Sequence, residues 1–508
     1  MTDAAVPERM NLARMCLRDS ARTRPDKIAL IVAGSPDDSR AWSYGEIEAQ
    51  VLRIAGGLRA AGLVPGERLF LRMENSADYA FLFFGAIAAG LVPVPASHQL
   101  TSIEARALII DSGAHGVALS DTLPLHDVPP GIMVLSQDDL DLLGKATPLP
   151  DYHDSLADDP AFLVYTSGTG GRPKGVLHAQ RSLWGRRPMY QGWYGIKSRD
   201  IVLHAGAFNW TYTLGAGLCD PWVNGATSVL YTGEKNVRIW PQLIARHKAT
   251  IFATVPSLYR QILKYCTIDR QALSSLRHGL TAGEALPPHL AAEWQAATGT
   301  PLFEAFGMSE LSTFISSSPS VPVRSGSPGR PQEGRKVAIL PLSGGSTPLP
   351  AGETGLVAIS RDDPGLMLGY WNRPGEETQV YRDNWFCGGD LAHMDVEGYV
   401  WLHGRADDQM NAMGYRVSPL EVERVLLEHD LVSEAGVCEL PVREDVNVIG
   451  AFIVPVAGAR LAPEEIKAFA AQKLAAYKTP RQIVFVDALP RTANGKIIRR
   501  ALPRHFSS

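Results

Sequence analysis

Residues 165–175 combine side chain types that can hold a phosphate group. The segment reads YTSGTGGRPKG, with hydroxyl side chains at 166, 167 and 169, four glycines, and Lys174. Glycine lets backbone N–H groups approach an anion, hydroxyls add donors, and a lysine amine contributes a point charge. Apolar residues before and after the segment predict a strand, a loop and a second strand. The alternative is an exposed, flexible hairpin turn, but ordinary turns rarely combine these residue types.

The spacing of this loop differs from the two commonest phosphate-binding loops. A Walker A loop needs a glycine where Pro173 stands, and here Gly175 follows Lys174. A G-x-G-x-x-G loop is excluded because Arg172 and Pro173 follow the glycine pair. The sequence therefore predicts a nucleotide phosphate site of another class.

A second segment, residues 303–310 with the sequence FEAFGMSE, adds groups suited to a nucleotide and a metal ion. Phe306 is suited to stack on a purine, and Gly307 lets the backbone come close. Glu310 offers a hard oxygen ligand for Mg2+ beside phosphates. Taken alone, a solvated loop glutamate is the simpler interpretation of Glu310, but the presence of a phosphate loop favours the metal role.

Polar positions suited to ribose follow between residues 388 and 421. Asp390, after two glycines, is suited to accept both ribose hydroxyls, or alternatively to cap a turn. Arg405 is suited to contact ribose or phosphate. Ser418 precedes a proline, and Glu421 follows at the capping-box spacing, so the sequence predicts a structural helix cap there.

The last segment, residues 490–496 with the sequence PRTANGK, ends on a lysine. Asn-Gly is a strong turn signal, so we expect Lys496 on the tip of a loop. The alternative is an ordinary exposed lysine, which most lysines are.

Composition excludes several classes of protein. The 508 residues are 45% hydrophobic and 20% charged, with a net charge of -4, which indicates neither nucleic acid nor an anionic membrane as partner. The five cysteines include no C-x-x-C pair, which argues against a zinc site or a disulfide framework and fits a reducing cytoplasm. Residues 1–14 lack an apolar signal core. The longest apolar run, residues 81–96, contains Pro93 and Pro95 and predicts a buried helix leading into a strand rather than a membrane span.

Helical patterns alternate with short apolar strands up to about residue 400, which predicts an α/β architecture with largely parallel sheets. After Gly404 the pattern changes to a small α+β unit, with helices expected over 419–429 and 463–476 and strands over 434–440, 448–456 and 483–486. We therefore predict a large N-terminal domain over 1–404, a hinge at 405–407 and a small C-terminal domain over 408–508.

The order of these segments resembles the motif series of the adenylate-forming superfamily, which includes acyl- and aryl-CoA synthetases, luciferases and peptide-synthetase adenylation domains. The series runs from the phosphate loop through AGEAL at 282–286, residues 303–310, Gly-Asp at 389–390 and Gly-Arg at 404–405 to NGK at 494–496. It covers nearly the whole chain. The resemblance implies an α/β N-terminal domain with mainly parallel sheets and a β-barrel-like part, followed by a small mobile α+β domain.

The resemblance also implies a two-step reaction with ATP, Mg2+ and coenzyme A. A carboxylic acid and MgATP would give an acyl-adenylate and pyrophosphate, and a thiol, usually coenzyme A, would then displace AMP. Lys496 would bridge the carboxylate and the α-phosphate, with Thr166 and Glu310 serving Mg2+. Rotation at Asp407 would exchange this lysine for the segment that admits coenzyme A, namely Met413, Gly414 and Tyr415. The implied ATP contacts are Thr166, Ser167, Gly168, Thr169, Gly170, Lys174, Gly283, Glu284, Ala285, Ala305, Phe306, Gly307, Met308, Ser309, Asp390, Arg405, Arg416 and Lys496.

The resemblance places the acid in a wall that is aromatic with small residues beside it, which suits an apolar acid. Asn209 carries no charge where amino-acid-activating relatives place an aspartate, so an amino acid is disfavoured. Aryl acids, medium acyl chains and bulky cyclic acids remain open, and the pattern is most similar to benzoate-type and medium-chain CoA ligases. The implied lining residues are Phe208, Asn209, Trp210, Tyr212, Leu214, Ala282, Gly283 and Met308.

Some positions depart from the family pattern. Gly170 and Gly388 stand where the family usually has threonine, and Asn411 replaces a frequent lysine. These departures keep open an enzyme that only adenylates and passes acyl-AMP to a partner ligase or carrier protein. A non-catalytic nucleotide-binding protein is a further alternative, which the joint retention of Lys496 and Glu310 disfavours. A homodimer is left open.

Overall fold

A computed structural model of the chain describes residues 5–120, 122–123, 128–166, 173–234, 236–406, 410–412, 415–443, 446–474, 476, 478–491 and 497–505. For residues 411–412, 415–416, 442–443, 446–447 and 505 it describes the backbone alone.

The strands are numbered along the chain. They are β1 (Ile28–Ala33), β2 (Ser39–Ser43), β3 (Arg68–Arg72), β4 (Val92–Pro95), β5 (Gly116–Leu119), β6 (Met133–Leu135), β7 (Pro160–Thr166), β8 (Lys174–Ala179), β9 (Ile201–His204), β10 (Thr227–Tyr231), β11 (Ile251–Thr254), β12 (His278–Ala282), β13 (Leu302–Met308), β14 (Ser312–Ser316), β15 (Arg330–Pro331), β16 (Val337–Leu340), β17 (Gly355–Ser360), β18 (Gly369–Tyr370), β19 (Tyr381–Arg382), β20 (Trp385–Met394), β21 (Val400–Arg405), β22 (Met410–Ala412), β23 (Tyr415–Val417), β24 (Val432–Arg443), β25 (Val446–Pro455) and β26 (Gln482–Phe485).

The helices are numbered in the same way. They are α1 (Leu12–Thr23), α2 (Tyr44–Ala60), α3 (Ala77–Ala88), α4 (Ser102–Ser112), α5 (Gln137–Leu143), α6 (Arg187–Met189), α7 (Thr211–Leu214), α8 (Asp220–Val223), α9 (Ile239–His247), α10 (Pro256–Tyr265), α11 (Pro288–Thr298), α12 (Pro374–Val380), α13 (Pro419–Leu426) and α14 (Pro463–Lys473). Tighter 3-10 turns lie at Gln180–Ser182, Trp184–Arg186 and Arg499–His505, and π-helical turns at Tyr190–Tyr194 and Gly215–Cys219.

The largest sheet of the described chain has nine strands in the order β15-β14-β13-β12-β11-β9-β10-β1-β2. The six central strands run parallel to one another: β13, β12, β11, β9, β10 and β1. Strands β2, β14 and β15 add antiparallel edges. A second sheet, β4-β3-β5-β6, is parallel throughout. The predicted α/β architecture is therefore confirmed.

Local sequence signals explain where two early elements begin and end. Helix α2 begins after a capping box formed by Ser43 and Glu46, and it ends just before Gly62, whose φ of 102° suits glycine. The apolar run 81–96 forms most of α3 and then β4, as predicted. No helix in the described part of the chain is long and apolar enough to cross a membrane.

The chain divides into two compact units. One comprises residues 1–336 and 360–381, and the other residues 337–359 and 382–508. The second unit contains the antiparallel pairs β16–β17 and β20–β21 together with everything that follows. The predicted hinge residue Asp407 lies outside the described residues, and the division at 405–407 stays a prediction.

The C-terminal part of the second unit is the α+β structure that the sequence predicts. Strands β24 and β25 pair antiparallel, β26 adds parallel to β25, and α13 and α14 share their apolar core. The predicted helix cap is wrong. Ser418 occupies the position before α13 but makes no cap hydrogen bond, and its hydroxyl donates to the carbonyl of His403. The carboxylate of Glu421, the expected partner, pairs with Lys478.

Candidate active site

The two strands predicted on either side of the phosphate loop are present, and they pair antiparallel. Strands β7 and β8 pair so that Thr166 stands opposite Lys174. Residues opposite each other in an antiparallel pair point to the same face of the sheet, so the Thr166 and Lys174 side chains lie on one face where the two strands end. Four predicted phosphate contacts in that loop, Ser167, Gly168, Thr169 and Gly170, lie outside the described residues.

Lys174 is held by two groups from a distant segment. Its amine pairs with the carboxylate of Glu376 on α12 and lies 5.3 Å from the centre of the Tyr370 ring. About a quarter of the lysine side chain is exposed, which leaves it accessible to an anion. The structure therefore provides a cation beside the loop and a resident counter-ion for it.

Glu310, the predicted metal ligand, is half-buried just after β13. Its Oε1 accepts a hydrogen bond of 2.7 Å from the hydroxyl of Tyr370, and its backbone carbonyl accepts one of 2.8 Å from the N–H of Met367. Tyr370 thus contacts both the metal-ligand position and the phosphate-loop lysine. The sequence motifs around 166–174 and 303–310 meet here in one unit.

The residues at this place fit a magnesium ion bound mainly through phosphates. Mg2+ is usually held by one or two protein oxygens and substrate phosphates rather than by a cage of protein ligands. Within the described ranges no group of three or more His, Cys, Asp or Glu side chains is arranged to hold a metal. A single carboxylate at Glu310 and the hydroxyl of Thr166 match the phosphate-dependent type of site.

The predicted adenine side is a loop after β12. Gly283 has a φ of 92°, which glycine adopts freely, and a Cβ there would lie 3.1 Å from the ring of Trp210. The loop is tied to β13 because the N–H of Leu286 donates to Oε1 of the buried Glu304 at 3.1 Å. Glu284 is half-buried, and Ala285 is exposed.

Strand β13 carries the next predicted contacts. Ala305 is buried, whereas Phe306 and Met308 are partly exposed. The Phe306 ring meets Phe314 edge to face at 5.4 Å. The close backbone approach at Gly307 is to its neighbouring strand: a Cβ would lie 2.3 Å from the carbonyl oxygen of Ser312.

Ser309 is positioned by a residue that sequence reasoning missed. Nε2 of His178 lies 2.9 Å from the carbonyl oxygen of Ser309, which requires that nitrogen to carry the proton. Burial lowers the pKa of His178 to about 3, so the ring is neutral near pH 7. The loop between β13 and β14 is thereby attached to β8.

The predicted acid wall is partly assembled. Trp210 lies against Gly283 and meets Tyr212 edge to face at 5.3 Å, and the hydroxyl of Tyr212 donates to the carbonyl of Thr254 at 3.3 Å. Ala282 is buried at the end of β12, on the same apolar cluster as Tyr212. An aromatic surface next to small residues results.

Two residues predicted to line the acid pocket, Phe208 and Leu214, lie in the apolar core instead of on the aromatic surface. Phe208 is buried, with its ring 5.5 Å from that of Tyr79. Leu214 is buried and borders a cavity of about 20 Å³ that it shares with His178, which is room for one water and too small for a carboxylic acid. Asn209 is half-buried. Roles for these three residues in acid binding stay predictions.

His204 is a buried imidazole close to this wall. It ends β9, and its ring centre lies 5.4 Å from that of Tyr212. Neither ring nitrogen has a hydrogen-bond partner among the described residues, and burial lowers its pKa to about 3. Sequence reasoning missed it, since a lone histidine at a strand end gives no motif signal.

The two predicted ribose residues face each other in the second unit. Asp390 on β20 pairs in register with Arg405 on β21, and Nη1 of the arginine lies 3.4 Å from Oδ2 of the aspartate. The same guanidinium donates to the carbonyl of Gly388 at 2.6 Å. Gly389 has a φ of 86°, and a Cβ there would lie 2.9 Å from the guanidinium.

The remaining predicted residues cannot be placed in full. Asp407, Met413, Gly414 and Lys496 lie outside the described residues. For Tyr415 and Arg416 the backbone alone is described, in strand β23 paired with β22.

Two protein-family models match most of this chain. A model described as AMP-binding enzyme matches residues 17–371, and one described as AMP-binding enzyme C-terminal domain matches residues 421–496. A benzoate–CoA ligase of Thauera aromatica is 32% identical over 512 residues, covering 97% of this chain and 96% of the relative.

Solved structures agree with this comparison. A benzoate CoA ligase from Burkholderia xenovorans LB400 superposes with a TM-score of 0.88 at 31% identity, covering 97% of this chain and all of the other. The anthranilate CoA ligase AuaEII, in complex with anthranoyl-AMP, superposes with a TM-score of 0.87 at 30% identity, covering 98% of both chains.

Proposed function

The chain belongs to the AMP-binding enzyme family, and we propose that it uses ATP to join an apolar carboxylic acid to coenzyme A. The acid would first form an acyl-adenylate with release of pyrophosphate, and coenzyme A would then displace AMP. The observation that carries this proposal is the meeting of Lys174 and Glu310 at Tyr370, because it joins a phosphate-binding hairpin to a metal-ligand carboxylate.

The first step has to bring a carboxylate to a negatively charged α-phosphate. Transfer at phosphorus depends mainly on positioning and on neutralising charge. In the proposed arrangement, Lys174 and the loop 167–172 hold the pyrophosphate portion. Mg2+ at Thr166 and Glu310 would supply further neutralisation when bound.

The nucleoside is proposed to lie along Gly283–Ala285 and Phe306. Gly283 and Ala285 are exposed and Phe306 is partly exposed, so these surfaces are open to a ligand. Asp390 is proposed to accept the ribose hydroxyls, with Arg405 orienting its carboxylate through the 3.4 Å contact.

Lys496 is proposed to bridge the acid and the α-phosphate during adenylation. A charged contact that forms at the reacting atoms is typically worth about 3–4 kcal/mol of the barrier. For the second step, we propose that the C-terminal segment turns at Asp407 and exchanges this lysine for Met413, Gly414 and Tyr415, which would admit the pantetheine arm of coenzyme A.

The acid is proposed to be apolar and preferably aromatic. Trp210 and Tyr212 offer ring faces beside Gly283 and Ala282, and the wall carries no described charge that would hold an ammonium group. Relatives named benzoate and anthranilate CoA ligases support an aryl acid over a medium-chain or bulky cyclic one.

A pyrophosphate-release assay with a panel of carboxylic acids tests the proposal. We expect release with at least one aryl acid in the presence of MgATP, and conversion to a thioester when coenzyme A is added. The absence of release with aryl, medium-chain and cyclic acids alike would contradict it.

The same assay separates a second candidate function, adenylation alone. Gly170 and Gly388 lack the hydroxyls that the family usually carries, which favours testing for a split activity. Pyrophosphate release without thioester formation would support transfer of acyl-AMP to a partner ligase or carrier protein.

A further inference from the structure

We propose that Tyr370 is a positioning residue that sets the affinity for MgATP, and that Glu376 is a displaceable counter-ion of the phosphate-loop lysine. This inference rests on the proposed function. It concerns two residues to which the sequence analysis assigned no role, and it gives them opposite effects on ATP binding.

The hydroxyl of Tyr370 donates to Oε1 of Glu310 at 2.7 Å. A hydrogen bond to an ionised carboxylate is stronger than one between neutral groups and restricts rotation of the carboxylate. Tyr370 therefore holds the glutamate in one orientation before a metal ion arrives. Without the hydroxyl, the carboxylate would have to be ordered when MgATP binds, at a cost in affinity.

Tyr370 itself cannot easily move. It is buried, and β18 pairs with β8 so that Tyr370 stands opposite Val176. At the preceding residue, Gly369, a Cβ would lie 2.0 Å from Oε1 of Glu377, so this strand packs closely against a side chain of α12. The sheet on one side and α12 on the other fix the position of the phenol.

The ring of Tyr370 also lies beside the amine of Lys174. The amine of Lys174 lies 5.3 Å from the ring centre, on the same residue whose hydroxyl bonds Glu310. A cation near an aromatic face is attracted by the ring and polarises it, which makes the phenol a better donor. One side chain thus couples the lysine of the phosphate loop to the carboxylate of the metal site.

Glu376 completes the cluster from α12. Its carboxylate pairs with Lys174, and about a third of the glutamate side chain is exposed. The pair is partly buried, but about a quarter of the lysine side chain stays exposed, so a competing anion can reach the amine. Since a triphosphate carries more negative charge than a carboxylate, we expect it to take over Lys174, and the charge of Glu376 then opposes phosphate binding.

The first test is Y370F, with Y152F as its matched control. The ring of Tyr152 also lies beside a cation, Arg18 at 5.1 Å, and its hydroxyl also donates to a glutamate, Glu48 at 3.1 Å. For Y370F we expect the KM for MgATP to rise about tenfold, since hydrogen bonds to charged groups have about this worth. The Mg2+ concentration for half-maximal adenylation should rise with it.

Two further measurements separate positioning from general damage. Direct calorimetry of MgATP binding to Y370F should show the same weakening, whereas thioester formation from supplied acyl-AMP and coenzyme A should stay unchanged. Equal losses in both half-reactions, or a Mg2+ dependence equal to that of the wild type and Y152F, would overturn the proposal.

The second test is E376Q, which keeps the shape of the side chain and removes its charge. We expect tighter MgATP binding by calorimetry, and unchanged or weaker binding would overturn the role of Glu376. If Y370F fails to fold, the Tyr370 hydroxyl serves folding and its positioning role is overturned, while this arm still tests the role of Glu376. Because MgATP binding needs no acid, both arms remain informative even if the panel of acids shows no ligase activity and the proposed function fails.

Discussion

Single side chains with no predicted role in the chemistry hold the candidate site together. Glu304 accepts the N–H of Leu286 and so attaches the proposed adenine loop to β13. His178 lies 2.9 Å from the carbonyl oxygen of Ser309, and Tyr370 bonds Glu310. In each case a side chain to which no contact with substrate or metal ion was assigned sets the position of a segment predicted to make such contacts. At this scale, the geometry of the candidate site depends on hydrogen bonds between segments.

A lysine substitution tests the proposed chemistry at the residue scale. K496A removes the charge proposed to bridge the carboxylate and the α-phosphate, so adenylation is expected to fall by at least about 10²-fold. Thioester formation from supplied acyl-AMP should largely survive, because the second step does not need that contact. Separate assays of the two half-reactions measure both effects.

K473A provides the control for this variant. Lys473 lies in the same C-terminal segment, at the end of α14, where it pairs with Glu428 on the surface. Its loss should leave both half-reactions within about twofold, since exposed ion pairs contribute little. Adenylation by K496A at the wild-type rate would refute the role assigned to Lys496.

At the scale of elements, the β13–β14 hairpin sets the geometry between Phe306 and Glu310. The pairing shifts register between Phe306 and Gly307, which marks a bulge. Ser312 has a φ of 97°, rare for a residue with a side chain, and its hydroxyl accepts a hydrogen bond from the buried Arg186. The hairpin is therefore held in a specific and strained form next to the proposed metal ligand.

Gly307 is a position in this hairpin where an added side chain would collide with the backbone of the facing strand. A Cβ in G307A would lie 2.3 Å from the carbonyl oxygen of Ser312 and 2.6 Å from Cα of Thr313, both backbone atoms. We expect a loss of about 1–3 kcal/mol in the free energy of unfolding, typical of overpacking. Urea denaturation of the purified protein measures it.

G375A is the matched control, because a Cβ at Gly375 on α12 meets no atom within 4 Å. An unstrained Gly to Ala change in a helix should be neutral or stabilising by up to about 1 kcal/mol. If G307A unfolded at the same urea concentration as G375A, the close contact between β13 and β14 would be wrong.

At the scale of the whole molecule, three buried histidines link folding to pH. Burial is the main cause in each, and it lowers the pKa of His178 and His204 to about 3 and that of His278 to about 4. In an unfolded chain a histidine takes up its proton near a pKa of about 6.5. Between these values the unfolded chain binds more protons than the folded protein, so stability falls as the pH falls.

This linkage predicts full stability above about pH 6.5 and a progressive loss below it, with a slope of up to about 1.4 kcal/mol per pH unit for each histidine. H204Q removes one of the three groups and should flatten the dependence, whereas H289Q, at an exposed histidine, should not. Urea titrations between pH 7 and pH 4.5 measure the slopes. A slope for H204Q as steep as that of the wild type would contradict the assignment.

Prediction from sequence succeeded where a local pattern determines the structure. The strand, loop and strand around 165–175, the helix and strand within 81–96 and the small α+β unit after residue 418 were all expected. It failed at Ser418. The capping pattern is present there, but the hydroxyl donates a hydrogen bond to the carbonyl of His403 on β21. A local motif gives no information about a carbonyl that the fold brings close from a distant segment and that orients the hydroxyl.

The amino-acid sequence by itself determined the order of the motifs and the two strands on either side of the phosphate loop, because both follow from neighbouring residues. Only the tertiary structure decided what holds them. Tyr370 reaches Glu310 across 60 residues of sequence because β18 pairs with β8, and Glu376 reaches Lys174 because α12 follows that strand. Contacts of this kind depend on strand pairing between distant segments, which leaves no spacing or periodicity in the sequence to detect.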